Sequence, residues 1–234
     1  MEWAAISDRG LERENNEDGF LACPEIGLFA VADGMGGHQA GEVASWLALK
    51  ALEGFVRQNS RANPLAVLLA AAEEANRQVY DASQARPEYS GMGSTLTACI
   101  IQPAAFSWVH VGDSRGYLIR EREIRQFTED HSLVCELLRE GKLTPEEAAV
   151  HPYRNVLSRV LGTQPAVAVD EGTVALRSGE IILLCTDGLT AHLDAMESLD
   201  IVSRGDLTEQ AKGLLKVALE RGGKDNITVV IIRV

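Results

Sequence analysis

Apolar positions recur along this chain at two periods. Strand-like runs cover Glu2–Ser7, Leu28–Ala32, Ser94–Ile101, Phe106–Val111, Gly116–Arg120, Glu180–Cys185 and Ile227–Val234. In the third, Leu96, Ala98 and Ile100 alternate with Thr95, Thr97 and Cys99, which predicts a strand packed on one face. Ile181–Cys185 and Val229–Ile232 are continuously apolar and predict strands covered on both faces. Helical spacing appears at Ala44, Leu47, Ala51, Leu52 and Phe55, and again at Leu65, Leu68, Leu69, Ala72 and Val79. A late helix is marked by Leu207, Ala211, Leu214, Leu215 and Ala218.

Local punctuation agrees with these periods. Pro64 suits a first helical turn, Asp206 is placed as an N-cap, and Gly222 and Gly223 as a stop. Thr144-Pro145-Glu146-Glu147 reads as a capping box with proline at its first helical position. The order is strands, two adjacent helices, many strands, a helix and a final strand. That order lacks the regular alternation of a doubly wound sheet and predicts an α+β fold, with helices stacked on antiparallel sheets. Ser132–Gly162 is helical in pattern and polar-rich, and is expected as an insertion over one edge of the sheets.

Bulk composition narrows the function classes. The 234 residues are 46% hydrophobic, enough for one sizeable core, and no polar or Gly/Ser-rich linker divides them. A single domain over 1–234 is expected. A net charge of −12 argues against nucleic acid or an anionic membrane as partner. Met-Glu-Trp-Ala-Ala-Ile lacks the basic and apolar regions of a signal peptide. No uncharged apolar stretch reaches the roughly 20 residues that span a bilayer. Cys23, Cys99, Cys135 and Cys185 are scattered without a C-x-x-C pair and are expected as reduced thiols, three of them in apolar runs. A cytoplasmic location is expected.

The chemistry lies in aspartates at the ends of strand-like runs: Asp33 in Val-Ala-Asp-Gly-Met-Gly-Gly-His, Asp113 in Val-Gly-Asp-Ser-Arg, Asp187 in Thr-Asp-Gly-Leu and Asp225 in Lys-Asp-Asn-Ile-Thr, with Asp18 upstream. Aspartate is a poor strand residue and costly to bury alone as a charge. Each of these positions taken singly is compatible with an ordinary turn. Together they suggest carboxylates converging on metal ions, and an oxygen-only donor set favours Mg²⁺ or Mn²⁺ over zinc. Two such ions about 3.5–4 Å apart can share a hydroxide and clamp a phosphoryl group. The carbonyl of Gly34 is a further oxygen donor.

Arg13 can grip phosphate through two parallel hydrogen bonds or form a surface salt bridge, and His38, beside the glycine turn, could protonate a leaving alkoxide or be a surface residue at a helix start. His110 reads as a core histidine beside Trp108, and His131, after Glu129 and Asp130, as one that orients a loop. His151 and His192 carry no assignment. Arg154 and Arg159, with His151, form a local positive cluster expected to recruit phosphorylated or acidic peptides, or to be solvated helix charges. Ser114 lacks the Gly-x-Ser-x-Gly elbow of a serine hydrolase.

These residues resemble the PPM family of metal-dependent serine/threonine phosphatases (protein phosphatase 2C-like), in its compact bacterial form. The similarity runs through Ser7-Asp8-Arg9-Gly10, Arg13-x-x-Asn16-Glu17-Asp18, Val31 to His38, Gly93-Ser94-Thr95, Val111 to Arg115, Thr186 to Leu189 and Asp225 to Val229. Ser94 stands where threonine is common. The resemblance implies a central β-sandwich with helices on both outer faces. It implies that Asp33 bridges two core metals, with the Gly34 carbonyl on one. Asp187 and Asp225 would hold the first, Asp18 the second, with Glu17 acting through water, and Asp113 would join Asp187 at a weaker third site. It further implies Arg13 as phosphate ligand, His38 as general acid, direct attack by a metal-bridging hydroxide, and 132–162 as a flap. The substrates would be phosphorylated proteins made by an opposing Ser/Thr kinase, and a monomer is expected. Two other readings are a docking module that retains the fold and a metal-dependent hydrolase of small phosphoesters.

Overall fold

The computed structural model of the chain describes residues 1–36 and 40–234. Strands β1 (Glu2–Asp8), β2 (Asp18–Cys23) and β3 (Leu28–Met35) precede helices α1 (Ala40–Asn59) and α2 (Pro64–Ala85). Then come β4 (Gly93–Ser94), β5 (Leu96–Gln102), β6 (Ala105–Val111), β7 (Arg115–Arg120) and β8 (Glu123–Gln126). Short helices α3 (Leu133–Arg139) and α4 (Pro145–Ala149) follow. The chain continues through β9 (Asp170–Ala175), β10 (Ile181–Cys185), α5 (Asp187–Thr190), α6 (Ala195–Val202), α7 (Leu207–Glu220) and β11 (Ile227–Arg233).

Two antiparallel sheets result. The first runs β1-β11-β10-β7-β8 and the second β2-β3-β5-β6-β9, with β4 paired to the end of β3. Three apolar layers hold them. Leu52, Leu68, Ala72 and Val79 of α1 and α2 pack on Ala30, Ala98 and Val109 of the second sheet. Leu199, Leu214 and Leu215 of α6 and α7 pack on Leu183 and Ile231 of the first. Between the sheets lie Phe29, Val31, Cys99, Phe106, Ile182, Leu184, Val230 and Ile232. Each inner strand therefore buries both of its alternating faces, one against a helix and one against the other sheet. The expected β-sandwich with helices on both outer faces is observed.

The run at Ser94–Ile101 departs from expectation in two ways. It breaks at Thr95 into β4 and β5. Its polar face is also covered: Thr95, Thr97 and Cys99 are all buried. Thr97 is tolerated there because its hydroxyl lies 2.8 Å from Nδ1 of His110 and 3.0 Å from the Ser114 carbonyl. Caps follow the sequence: Asn63 caps α2 ahead of Pro64, and Thr144 and Asp206 each close a capping box. Segment 132–162 is less helical than its pattern suggests, with α3 and α4 joined and followed by turns. All four cysteines are free, and Cys23, Cys99 and Cys185 are buried. Among the described residues no helix is long and apolar enough to cross a membrane.

Candidate functional site

Strand register brings the aspartates to one end of the sandwich. Asp18 opens β2 and stands opposite Asp33 near the end of β3. In the first sheet, Cys185 at the end of β10 pairs with Val229 near the start of β11 and with Arg115 at the start of β7. Asp187 and Asp225, just beyond these ends, therefore meet at the same edge. Val111 ends β6 opposite Leu96, and Gly112-Asp113-Ser114 crosses from the second sheet to the first. All five aspartates are half-buried.

Burial and mutual repulsion raise the affinity of Asp18, Asp33, Asp113 and Asp187 for protons. Burial is the largest cause at Asp33, followed by the charges of Asp18, Asp187, Asp113 and Asp225, and the group is held well above the usual carboxylate range. Burial first, then Asp187, pushes Asp113 up to about 7. Burial also pushes Asp18 up to about 7, against hydrogen bonds from Thr186 and Thr228. Asp187 is raised by burial and by Asp225. Asp18, Asp33, Asp113 and Asp187 each therefore feel neighbouring aspartates, as a set awaiting positive charge would.

The backbone under this set is heavily fixed. Asp33 N–H donates to Thr95 Oγ1 at 2.9 Å, and the Asp33 carbonyl accepts from Thr95 N–H at 2.8 Å and from Ser94 Oγ at 3.0 Å. Thr95 Oγ1 is in turn 2.8 Å from Ser114 Oγ, which ties β3 to the turn carrying Asp113. Thr186 Oγ1 accepts from Thr228 N–H and donates to Asp18 Oδ2 at 2.7 Å. Asn226 fastens the N-terminal segment: its Oδ1 accepts from Glu17 N–H at 2.7 Å, and its Nδ2 donates to the carbonyls of Arg9 and Asn15. Gly34 has no room for a side chain, since a Cβ would lie 1.9 Å from the Gly41 carbonyl oxygen. Gly41 is equally constrained, because its Cβ would meet the Glu17 carboxylate at 2.5 Å. Thr95, Thr186, Asn226 and Gly41 are supports that sequence reasoning did not single out. Thr95, Thr186 and Asn226 lay within the motifs that carry the resemblance, whereas Gly41 gave no signal.

The donor set fits a hard divalent cation. Asp18 Oδ1 and Asp187 Oδ1 are buried without a hydrogen-bond partner, an expensive arrangement that an ion would relieve. Among the described residues, no three such side chains are already drawn to one point, as expected of like charges that repel.

Arg13 and Glu17 line a cavity of about 680 Å³ with Gly36, Glu88, Tyr89 and Asn226. Arg13 Nη2 donates to Asp225 Oδ2 at 2.8 Å, so the guanidinium is aimed at the aspartates from the rim. Burial raises the proton affinity of Glu17, opposed by Arg13. His38 lies outside the described residues. The expected positive cluster on 132–162 is only partly present. Arg159 Nη1 donates to Asp170 Oδ1 at 2.6 Å, so its charge is spent within the fold, whereas Arg154 is exposed. His110 is buried as expected, and His131 does hold a loop, through a bond from Gly112 N–H to its Nδ1.

Comparison with known proteins identifies the family. A family model described as protein phosphatase 2C matches residues 12–222. The serine/threonine protein phosphatase PstP of Mycobacterium tuberculosis is 41% identical over 234 residues, covering 99% of this chain. The chain spans only 44% of that relative's length. The serine/threonine phosphatase stp of Listeria welshimeri is 39% identical, covering 97% of this chain and 93% of the relative. The crystal structure of the PstP catalytic domain in complex with two manganese ions superimposes with a TM-score of 0.87 at 39% identity, over 98% of this chain and 96% of that one. With its five aspartates on one edge of a helix-flanked sandwich, and with relatives of this identity and coverage, the chain belongs to the protein phosphatase 2C family.

Proposed function

We propose that residues 1–234 act as one catalytic unit, a serine/threonine protein phosphatase that hydrolyses phosphoserine and phosphothreonine on other proteins. The observation that carries this reading is the mutually repelling set Asp18, Asp33, Asp113, Asp187 and Asp225, with buried, unpartnered oxygens on Asp18 and Asp187. Asp33 would serve both of two core ions, Mn²⁺ or Mg²⁺, and the Gly34 carbonyl one of them. Asp187 and Asp225 would hold the first, Asp18 the second with Glu17 through water, and Asp113 with Asp187 a weaker third site. When bound, divalent ions supply hydroxide near neutral pH and offset charge on a phosphoryl group.

The remaining work belongs to the chain. Arg13 faces the cavity and offers its fork of N–H donors to the non-bridging oxygens of the substrate phosphate. That contact orients the phosphorus in line with the attacking oxygen. Proton delivery to the departing serine or threonine oxygen is assigned to His38. The phosphorylated proteins are products of a Ser/Thr kinase, which this activity opposes.

Phosphate release from a phosphothreonine peptide tests the reading. It is expected to require Mn²⁺ or Mg²⁺, to stop with EDTA, and to stop in Asp33→Asn. Turnover that persists in EDTA would overturn it.

A further inference from the structure

His131 stands between the Asp113 turn and the root of the 132–162 segment, and it bonds to both. Its backbone N–H donates to the Gly112 carbonyl at 2.7 Å, while Gly112 N–H donates to the ring Nδ1 at 3.1 Å. Gly112, the residue preceding Asp113, is thus held at both its N–H and its carbonyl by one residue. Accepting at Nδ1 leaves the ring proton on Nε2. That Nε2 is 3.1 Å from Asp170 Oδ2. Asp170 in turn accepts from Arg159 Nη1, and Ser158 N–H donates to the His131 carbonyl at 2.8 Å. Ser132 and Leu157 then form an isolated bridge that closes the stalk of the segment.

The ring has little freedom to do anything else. It is 5% exposed, and it packs on the buried ring of His110 at 4.8 Å between centroids. The turn it grips is equally committed. Gly112 has φ +110°, and a Cβ there would lie 2.5 Å from Thr95 Cγ2. On its far side the turn is held through Ser114 and Thr95 to the strand of Asp33.

We propose that His131 is a positioning residue whose two ring nitrogens have separate duties: Nδ1 sets the Gly112–Asp113 turn, and Nε2, through Asp170 and Arg159, sets the root of the 132–162 segment. One side chain thereby fixes the carboxylate and the overhanging segment relative to each other. The inference goes beyond the phosphatase reading and can be tested without it.

Asparagine and glutamine divide the two duties. The asparagine Oδ1 reaches the place of Nδ1, and the glutamine amide nitrogen the place of Nε2. Backbone hydrogen exchange is measured at Gly112 and across 133–157 in the full chain, with β11 as the reference for global stability. In His131→Gln the Gly112 amide is expected to exchange up to about 10-fold faster, with 133–157 near wild type, since one hydrogen bond is lost at one place. In His131→Asn the pattern reverses. With a phosphopeptide, His131→Gln is expected to lower kcat about 10-fold with little change in KM, whereas His131→Asn acts mainly on KM. Identical exchange patterns in the two variants, no departure from wild type, or loss of protection throughout β11 would each overturn the proposal. A wild-type protein without phosphatase activity would defeat the phosphatase reading alone, and the exchange patterns would still decide the role of His131.

Discussion

Asp18 and Asp33 stand directly opposite each other in the ladder between β2 and β3. Like charges at facing positions destabilise a sheet. Here burial removes the water that would screen them, and the Thr186 hydroxyl answers only one Asp18 oxygen. The fold therefore accepts a local cost where its chemistry is concentrated, as strained functional sites commonly do.

Relieving that cost is measurable. With EDTA present, Asp18→Asn is expected to raise stability in urea by about 1 kcal/mol, because one of two facing charges is gone while Thr186 keeps an acceptor. Added Mn²⁺ is expected to stabilise wild type strongly and the variant weakly, since an ion that binds only the folded state shifts the midpoint. A less stable Asp18→Asn protein in EDTA would contradict the argument.

Arg13 and Asp225 form a second relationship with a consequence for substrate. Their contact, 2.8 Å at the cavity rim, leaves other guanidinium N–H groups for a phosphate. Arg13→Ala is expected to lower kcat/KM on a phosphopeptide by about 10- to 100-fold, the worth of one charge-assisted contact. Arg13→Lys is expected to restore little, because a point charge lacks the planar fork. Steady-state kinetics on both variants checks this. Full activity in Arg13→Ala would remove the residue from phosphate recognition.

Beneath the Asp113 turn, His110 is a neutral buried base. Burial first, then the neighbouring His131, pushes its pKa down to about 4. Its folded value thus lies below the unfolded value near 6.5, so the folded state binds fewer protons between these limits. The stability from the neutral ring is complete above about pH 6.5 and is lost as pH falls through 4. The carboxylates with raised pKa run the opposite way, so the useful quantity is the difference between wild type and His110→Gln. That difference is expected to shrink by up to about 3 kcal/mol between pH 7 and pH 4 in urea unfolding. A difference that does not change with pH would show that the ring titrates normally.

Much of this architecture was legible in the residues, and what was missed has a common cause. β10 and β11 announced themselves as continuous apolar runs because both of their faces are buried. β2, β8 and β9 were not anticipated, and all three are edge strands. β9, Asp-Glu-Gly-Thr-Val-Ala, alternates half-buried and exposed positions, so its apolar signal is faint. Asp33, Asp113 and Asp187 were visible because each closes an apolar run, and Asp225 because it precedes one, whereas Asp18 lies in a polar stretch. The roles of their supports were not visible, since Thr186 serves Asp18 across 168 residues and Asn226 serves Glu17 across 209. The two readings of Arg159 stayed open for the same reason. Its partner Asp170 lies on a strand that left no clear trace, so the guanidinium seemed available to a peptide.

The order of the first sheet sets a schedule on synthesis. β11 follows every other element in the chain yet lies between β1 and β10. Asp225 and Asn226 sit immediately before it, so the carboxylate set and the fastening of Glu17 both wait for that strand. A chain emerging from the ribosome would fold its helices and the second sheet first. It would hold no competent centre until the final strand slots in. On the phosphatase reading, a fragment ending before Asp225 would then be silent rather than partly active.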